Sequence, residues 1–342
     1  MDASPVFRLF ASCIPVKGAR RSVVCDLQRG TYQLIPNGLY EILTEHRDQP
    51  VVAIKAAYDH EFDEEIDEYF QFLLDQEFGF WCDEPELFPD LDLTWDAPGR
   101  ITNALIDVDA GSRHDFPALL AQLDALGCAA LEVRFFRPCT LADLRQVLEA
   151  SRHGRLRSVQ LLFPHGDGLA DEALDQLCRD YPRLSGLVVH SAPEDRRRKA
   201  PGTPVPLHYR KAVIDSADHC GQVHPGYFVT NIGHFTEAQQ HNTCLNRKLS
   251  IDARGEIRNC PSLPKSFGNA AEAPLADALA QPGFRELWTV HKDEIEVCRD
   301  CEFRYVCTDC RAYLTDPGNL YAKPRKCGYD PYTAQWSTGS TR

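Results

Sequence analysis

Three features of the sequence predict an α/β protein of several domains. Between residues 101 and 190, short apolar runs alternate with segments whose apolar residues recur at helical spacing. Such alternation builds parallel strands joined by right-handed helical crossovers. The first ninety residues instead group β-rich segments ahead of helical ones. Seven of the fourteen cysteines fall between Cys244 and Cys327, which sets a third region apart. Residues 1–90, 95–235 and 236–342 are therefore expected as successive domains.

In the first region, residues 7–16, 21–25 and 31–35 are short β-rich segments separated by Lys17-Gly18 and Arg29-Gly30 turn signals. Asn37 is placed to cap a helix that reaches about residue 46 and carries Leu39, Ile42 and Leu43 on one face. Residues 51–58 form a second helix, and 61–78 a third that buries Ile66, Tyr69, Phe70, Leu73 and Leu74. Three strands followed by three helices make a winged-helix arrangement. DNA binding, the commonest use of that shape, is disfavoured here. The third helix carries Asp63, Glu64, Glu65, Asp67 and Glu68, the wrong sign for phosphates.

After an acidic stretch from 83 to 96, residues 101–108 read as a buried strand. Ser112 and Asp115 have capping-box spacing ahead of a helix with Phe116, Leu119, Leu120 and Leu123 on one face. Residues 128–136 are the next strand, and Thr140 with Asp143 repeats the capping box before Leu141, Leu144, Val147 and Leu148. Residues 158–163, 170–181 and 184–190 continue as strand, helix and strand. A complete eight-unit barrel takes about 250 residues, so this region makes only part of one. The basic run Arg196, Arg197, Arg198 and Lys199 lies between Pro193 and Pro201 and reads as a solvated loop. His165-Gly166-Asp167-Gly168 reads as a turn. No Ser/His/Asp triad, phosphate-binding loop or paired-carboxylate motif stands out, so no catalytic residue is assigned.

The third region opens with Cys244 and Cys260, continues with Cys298, Cys301, Cys307 and Cys310, and closes with Cys327. Its middle run, CRDCEFRYVCTDC, holds two CxxC pairs around a five-residue spacer. A CxxC pair turns both sulfurs toward one metal, and two such pairs close together are a metal signature. An odd number of thiols argues against a disulfide framework. Iron–sulfur is the preferred reading of the metal, and zinc on four thiolates is the alternative.

In its order of Cys244, Gly255, Cys260, the CxxC run and a late Cys327, this region resembles the SPASM domain of radical-SAM peptide-modifying enzymes. Ile251, Asp252, Gly255 and Ile257 look like that domain's β-hairpin, with Gly255 supplying the turn. The resemblance implies two 4Fe-4S clusters with crossed ligation. Cys298, Cys301, Cys307 and Cys327 would hold one, and Cys244, Cys260 and Cys310 the other. Only three thiolates then serve the latter, so Cys220, His224 or His241 would complete it, or one iron would stay open to a small ligand.

With VCDLQRGTYQLIPNGLYEIL ahead of the acidic helix, the first region resembles the RiPP recognition element, a leader-peptide binding module of ribosomally synthesised peptide pathways. That resemblance implies a leader strand added beside Thr31, Tyr32, Gln33, Leu34 and Ile35, packed against a helix bearing Ile66, Tyr69 and Phe70. Radical-SAM enzymes place CxxxCxxC after the first strand of a partial barrel. Here the segment after Val108 reads DAGSRHDF, without cysteine, so cleavage of S-adenosylmethionine is not expected. Together the three regions resemble the SPASM-domain peptide maturase of grasp-with-spasm systems. That implies a precursor peptide and an ATP-grasp ligase as partners, with ligation left to the ligase. A zinc-stabilised scaffold and a stand-alone iron–sulfur redox enzyme are the alternatives.

The formal charge of −13 disfavours nucleic acid and anionic membrane surfaces as partners. No apolar run is long enough to span a bilayer, and the N-terminus, interrupted by Arg8, lacks a secretory pattern. Many unpaired thiols without an export signal fit a reducing cytoplasm.

Overall fold

The computed structural model describes residues 5–337; residues 1–4 and 338–342, the outer ends of the first and third expected domains, lie outside it. The chain forms two compact units. One comprises Met1–Asp96, Gln222–Thr243 and Val290–Arg342, and the other Ala97–Gly221 and Cys244–Thr289.

In the first unit, β1 (Val6–Leu9), β2 (Cys13–Val16), β3 (Ser22–Asp26) and β4 (Thr31–Ile35) precede α1 (Asn37–Glu45), α2 (Val51–Ala57) and α3 (Asp63–Asp75). The expected first strand over 7–16 is in fact two. The break lies at Phe10–Ser12, and β1 pairs not with β2 but with β5 (Gly79–Cys82), beyond the helices. β2, β3 and β4 form an antiparallel sheet with β4 at its edge. Leu39, Ile42, Ile54, Ile66, Phe70 and Leu73 meet in the core between the helices, as helical spacing requires. Asn37 is the first helical residue rather than the cap, which is Pro36. Its amide instead accepts from Ser22 Oγ at 2.7 Å and donates to Gly18 O at 3.3 Å, tying the helix to the β2–β3 turn.

The second unit is built on an eight-stranded mixed sheet. β6 (Asn103–Val108), α4 (Phe116–Ala125), β7 (Ala130–Phe135), α5 (Leu141–Ala150), β8 (Ser158–Pro164), α6 (Asp171–Asp180) and β9 (Leu184–His190) follow the expected alternation, with parallel strands. Thr140 and Asp143 form the expected capping box. Ser112 does not: Asp115 caps α4 alone, while Ser112 Oγ donates to Ala253 O at 2.6 Å. The basic run is a strand, β10 (Arg196–Lys199), antiparallel to β11 (Pro206–Tyr209). It is no solvated loop, because Arg196 pairs with Asp171 at 2.8 Å and Arg198 with Asp175 at 2.5 Å on α6. At the other side β12 (Lys248–Ile251) lies parallel to β6 and antiparallel to β13 (Ile257–Arg258). The hairpin turn at Gly255 has φ +87°, a left-handed value that suits glycine.

Successive strand residues point to opposite faces. Ile106, Val133, Leu161, Val189 and Leu249 pack with the helices. The opposite face carries Asp107, Glu132, Arg134, Gln160, His190 and Lys248. There Arg134 makes a bidentate pair with Asp107, both buried, at 2.7 and 2.9 Å. Burial disfavours the guanidinium's charge, but the hydrogen bonds and charge of Asp107 more than offset this and raise its pKa. Among the described residues no helix is long and apolar enough to cross a membrane.

Candidate metal centre

Among the described residues none of the fourteen cysteines is joined in a disulfide. The seven of the cysteine-rich region divide between the units. Cys244 and Cys260 lie in the unit of the large sheet; Cys298, Cys301, Cys307, Cys310 and Cys327 lie in the other.

Cys298 and Cys301 sit at the two ends of a tight turn closed by Cys301 N donating to Cys298 O at 3.0 Å. Cys307 ends the next turn, its N–H donating to Phe303 O at 2.9 Å, and Cys327 is brought in by a bridge to Val223. Burial pushes the Cys298 thiol up to about 12; Lys292 opposes this, while Asp309, Cys307 and Cys327 add to it. Burial likewise raises Cys301, reinforced by Cys307 and Cys298, and raises Cys307, reinforced by Cys327. Each of these thiolates would therefore repel the others, and a metal among them removes that penalty, because a coordinating thiol is deprotonated outright.

Lys292 lies against this group, 4% exposed, with Nζ donating to Cys307 O at 3.2 Å and Thr308 O at 3.1 Å. Burial would neutralise its ammonium, but Cys307, Asp309, Cys298 and Cys301 raise its pKa above the ordinary lysine value. Asp309 accepts from Asn242 at 2.7 Å and from Arg311 at 2.8 Å, all three buried. That network fixes the backbone on both sides of Cys310.

In the other unit, Cys244 and Cys260 are joined through backbone contacts. Asn259 Nδ2 donates to Leu245 O at 3.0 Å and Lys248 O at 2.8 Å. Ser262 Oγ donates to Ala217 O at 3.3 Å, and Cys220 closes the turn that starts at Ala217. Lys248 Nζ stands 3.9 Å from Cys244 Sγ. Burial would lower its pKa, but Cys244, Cys260 and Cys220, in that order, raise it. Cys220, Cys244 and Cys260 thus lie in one unit and, with Glu132, favour the charged form of Lys248. His224 and His241 lie in the first unit. There His224 Nδ1 accepts from Gly226 N at 3.0 Å, and His241 packs on the Trp95 ring at 5.2 Å.

Among the described residues, no three or more His, Cys, Asp or Glu side chains close around a point that a single ion would occupy. The donor chemistry nevertheless fits iron–sulfur clusters, which Cys thiolates hold. Sequence reasoning missed the two lysines. Lys248 was within reach of it, lying four residues after Cys244; Lys292, six before Cys298, carried no local signal.

The expected peptide edge is β4, which among the described residues pairs with β3 alone, with Thr31, Gln33 and Leu34 exposed and Ile35 buried. Tyr32 is turned inward, its ring 5.4 Å from that of Phe303. Ile66 and Phe70 belong to the core of α1–α3. Ile66 and Tyr69 also line a cavity of about 200 Å³ between α1 and α3, rimmed by Glu41 and Glu65.

Residues 243–302 match the SPASM family, an iron–sulfur cluster-binding domain. That stretch includes Cys244, Cys260, Cys298 and Cys301; Cys307, Cys310 and Cys327 lie beyond it. No curated protein matches the chain. Among solved structures, the crystal structure of Streptococcus suis SuiB bound to S-adenosylmethionine aligns over 94% of this chain and 97% of its own. Identity is 9% and the TM-score 0.36, a likeness too slight to carry an argument.

Proposed function

We propose that this chain is a component of ribosomally synthesised peptide maturation. It binds the leader of a precursor at the β4 edge, carries two 4Fe-4S clusters, and acts beside an ATP-grasp ligase that performs the ligation. The observation that carries this reading is the match of residues 243–302, which include Cys244, Cys260, Cys298 and Cys301, to an iron–sulfur cluster-binding domain, with Cys307 in the turn that follows and Cys327 bridged to Val223 in the same unit. Those four thiolates would hold one cluster. Cys244, Cys260 and Cys220 would contribute to the other. Bound clusters would supply one-electron transfer or an iron open to substrate. The edge of β4 offers backbone groups for strand addition, and Glu41 and Glu65 suit a leader with basic residues. The loop after β6 holds no cysteine, so the reading excludes radical chemistry on S-adenosylmethionine.

Anaerobic purification with iron, zinc and acid-labile sulfide analysis tests it. The protein should be brown and contain iron with sulfide. Cys298→Ala or Cys327→Ala should remove one cluster and Cys244→Ala the other, while Cys178→Ala, a thiol in the core of the sheet unit, should spare both. Zinc without sulfide after anaerobic reconstitution refutes the reading.

A further inference from the structure

Each group of thiols is built against one lysine. Lys292 is buried, and its two hydrogen bonds go to neutral carbonyls, Cys307 O and Thr308 O. A buried ammonium without an anion is costly. The nearby carboxylate of Asp309 is already engaged by Arg311 at 2.8 Å and Asn242 at 2.7 Å. The Lys292 charge is met by the group of thiols together with Asp309. Lys248 repeats the arrangement in the other unit. It opens β12 on the polar face of the sheet, with Nζ 3.9 Å from Cys244 Sγ. Two lysines on unrelated elements thus stand beside separate cysteine groups, and at the buried place of Lys292 packing alone would take an apolar chain at less cost.

We propose that Lys248 and Lys292 are built-in counter-charges, one for each cysteine group, that favour the reduced form of the iron–sulfur cluster that group holds. The inference rests on the iron–sulfur reading above. The step is a one-electron reduction by an external one-electron donor such as dithionite; no bond forms or breaks. The added electron makes the cluster and its thiolates one charge more negative, and a fixed cation beside them stabilises that state more than the oxidised one. Both lysines are positioning residues, acting on the cluster through its thiolate ligands.

The test is a redox titration of the full chain, reconstituted anaerobically and followed by electron paramagnetic resonance, with iron and sulfide measured for every variant. Lys248→Met should lower the potential of one cluster and Lys292→Met that of the other. The expected change is at least tenfold in the reduction equilibrium, about 59 mV for a one-electron couple. Lys248→Arg and Lys292→Arg, which keep the charge, should stay near the wild-type potential. Unchanged potentials in the methionine variants at full iron and sulfide content overturn the proposal. Should Lys292→Met fail to take up iron, Lys248→Met, at a partly exposed position, decides alone. Wild-type protein without iron and sulfide overturns the underlying reading instead, and the two failures are told apart by that analysis.

Discussion

Replacing Arg21 with methionine should loosen the loop that carries Cys298 and Cys301. The β2–β3 turn lies directly on that loop: Ala19 N donates to Asp300 O at 2.8 Å, and Arg304 reaches back to Lys17 O. At the centre is Glu302, fully buried, whose carboxylate accepts from Arg21 Nε at 2.8 Å and from the Tyr329 hydroxyl. Methionine keeps the stem of the side chain and deletes the charge. It leaves a buried carboxylate with one neutral donor. Hydrogen bonds to charged groups contribute about 1.5–3 kcal/mol. Because the Arg21 side chain is 31% exposed, screening places the loss near the lower end, about 2 kcal/mol. In a unit of this size each kcal/mol moves the melting temperature by about 2–4 °C, so a fall of about 4–8 °C is expected. Calorimetry on Arg21→Met, Glu302→Gln and the double variant measures it. The double variant should regain much of the loss, because the carboxylate no longer needs a cation, giving a coupling of about 2 kcal/mol. A melting temperature within about 1 °C of wild type for Arg21→Met, or strictly additive losses in the double variant, would refute the reasoning.

Two other outcomes are expected. Proline at Gln33 removes a backbone donor from the β4 edge, where proline is best tolerated. It should weaken the binding of a labelled leader peptide by about 1 kcal/mol, roughly fivefold, and undiminished fluorescence anisotropy would place recognition elsewhere. The sheet unit should lose stability in mild acid through His190. Burial lowers its pKa below the ordinary 6.5, although Nε2 meets Phe135 O at 3.3 Å. The unfolded chain then binds the proton more readily, so the contribution is complete above about pH 6.5 and is lost as pH falls below it. Urea midpoints between pH 7 and 5 should show that slope, and His190→Gln should flatten it.

What the sequence discloses and what it hides divide along the range of the interactions. The strand Leu184–His190 and the Thr140–Asp143 cap are local: apolar period and cap spacing suffice, and the structure reproduces both. β1 is misjudged because its partner β5 lies beyond three helices, and no local pattern announces that pairing. β10 is misjudged because four successive cations look solvated until α6 supplies Asp171 and Asp175 and Tyr209 lies 3.9 Å beneath the Arg196 guanidinium. The hairpin at Gly255 is legible from its turn residue, yet its extension of the large sheet through β12 and β6 depends on residues some 145 positions apart, as in the Thr102 Oγ1 to Arg247 O bond.

The same distinction separates thiols that pack from thiols that bind. Burial raises the pKa of Cys128 to about 12, and its only other influence is the Ala130 carbonyl, which accepts from its sulfur at 3.2 Å. Such a thiol stays protonated and inert in an apolar core. Cys298 is raised to about 12 as well, but Cys307, Cys327 and Asp309 press on it from one side and Lys292 relieves it from the other. Burial alone therefore cannot tell the two apart; mutual repulsion with a cation at hand can. Spacing in the sequence detects the CxxC pairs because their sulfurs meet through a few bonds. It cannot choose among Cys220, His224 and His241; the fold places Cys220 in the unit of Cys244 and Cys260, where the turn at Ala217 meets Ser262. The completing ligand is therefore selected by the fold and not by spacing, because Cys220 shares a unit with Cys244 and Cys260 while His224 and His241 lie in the other.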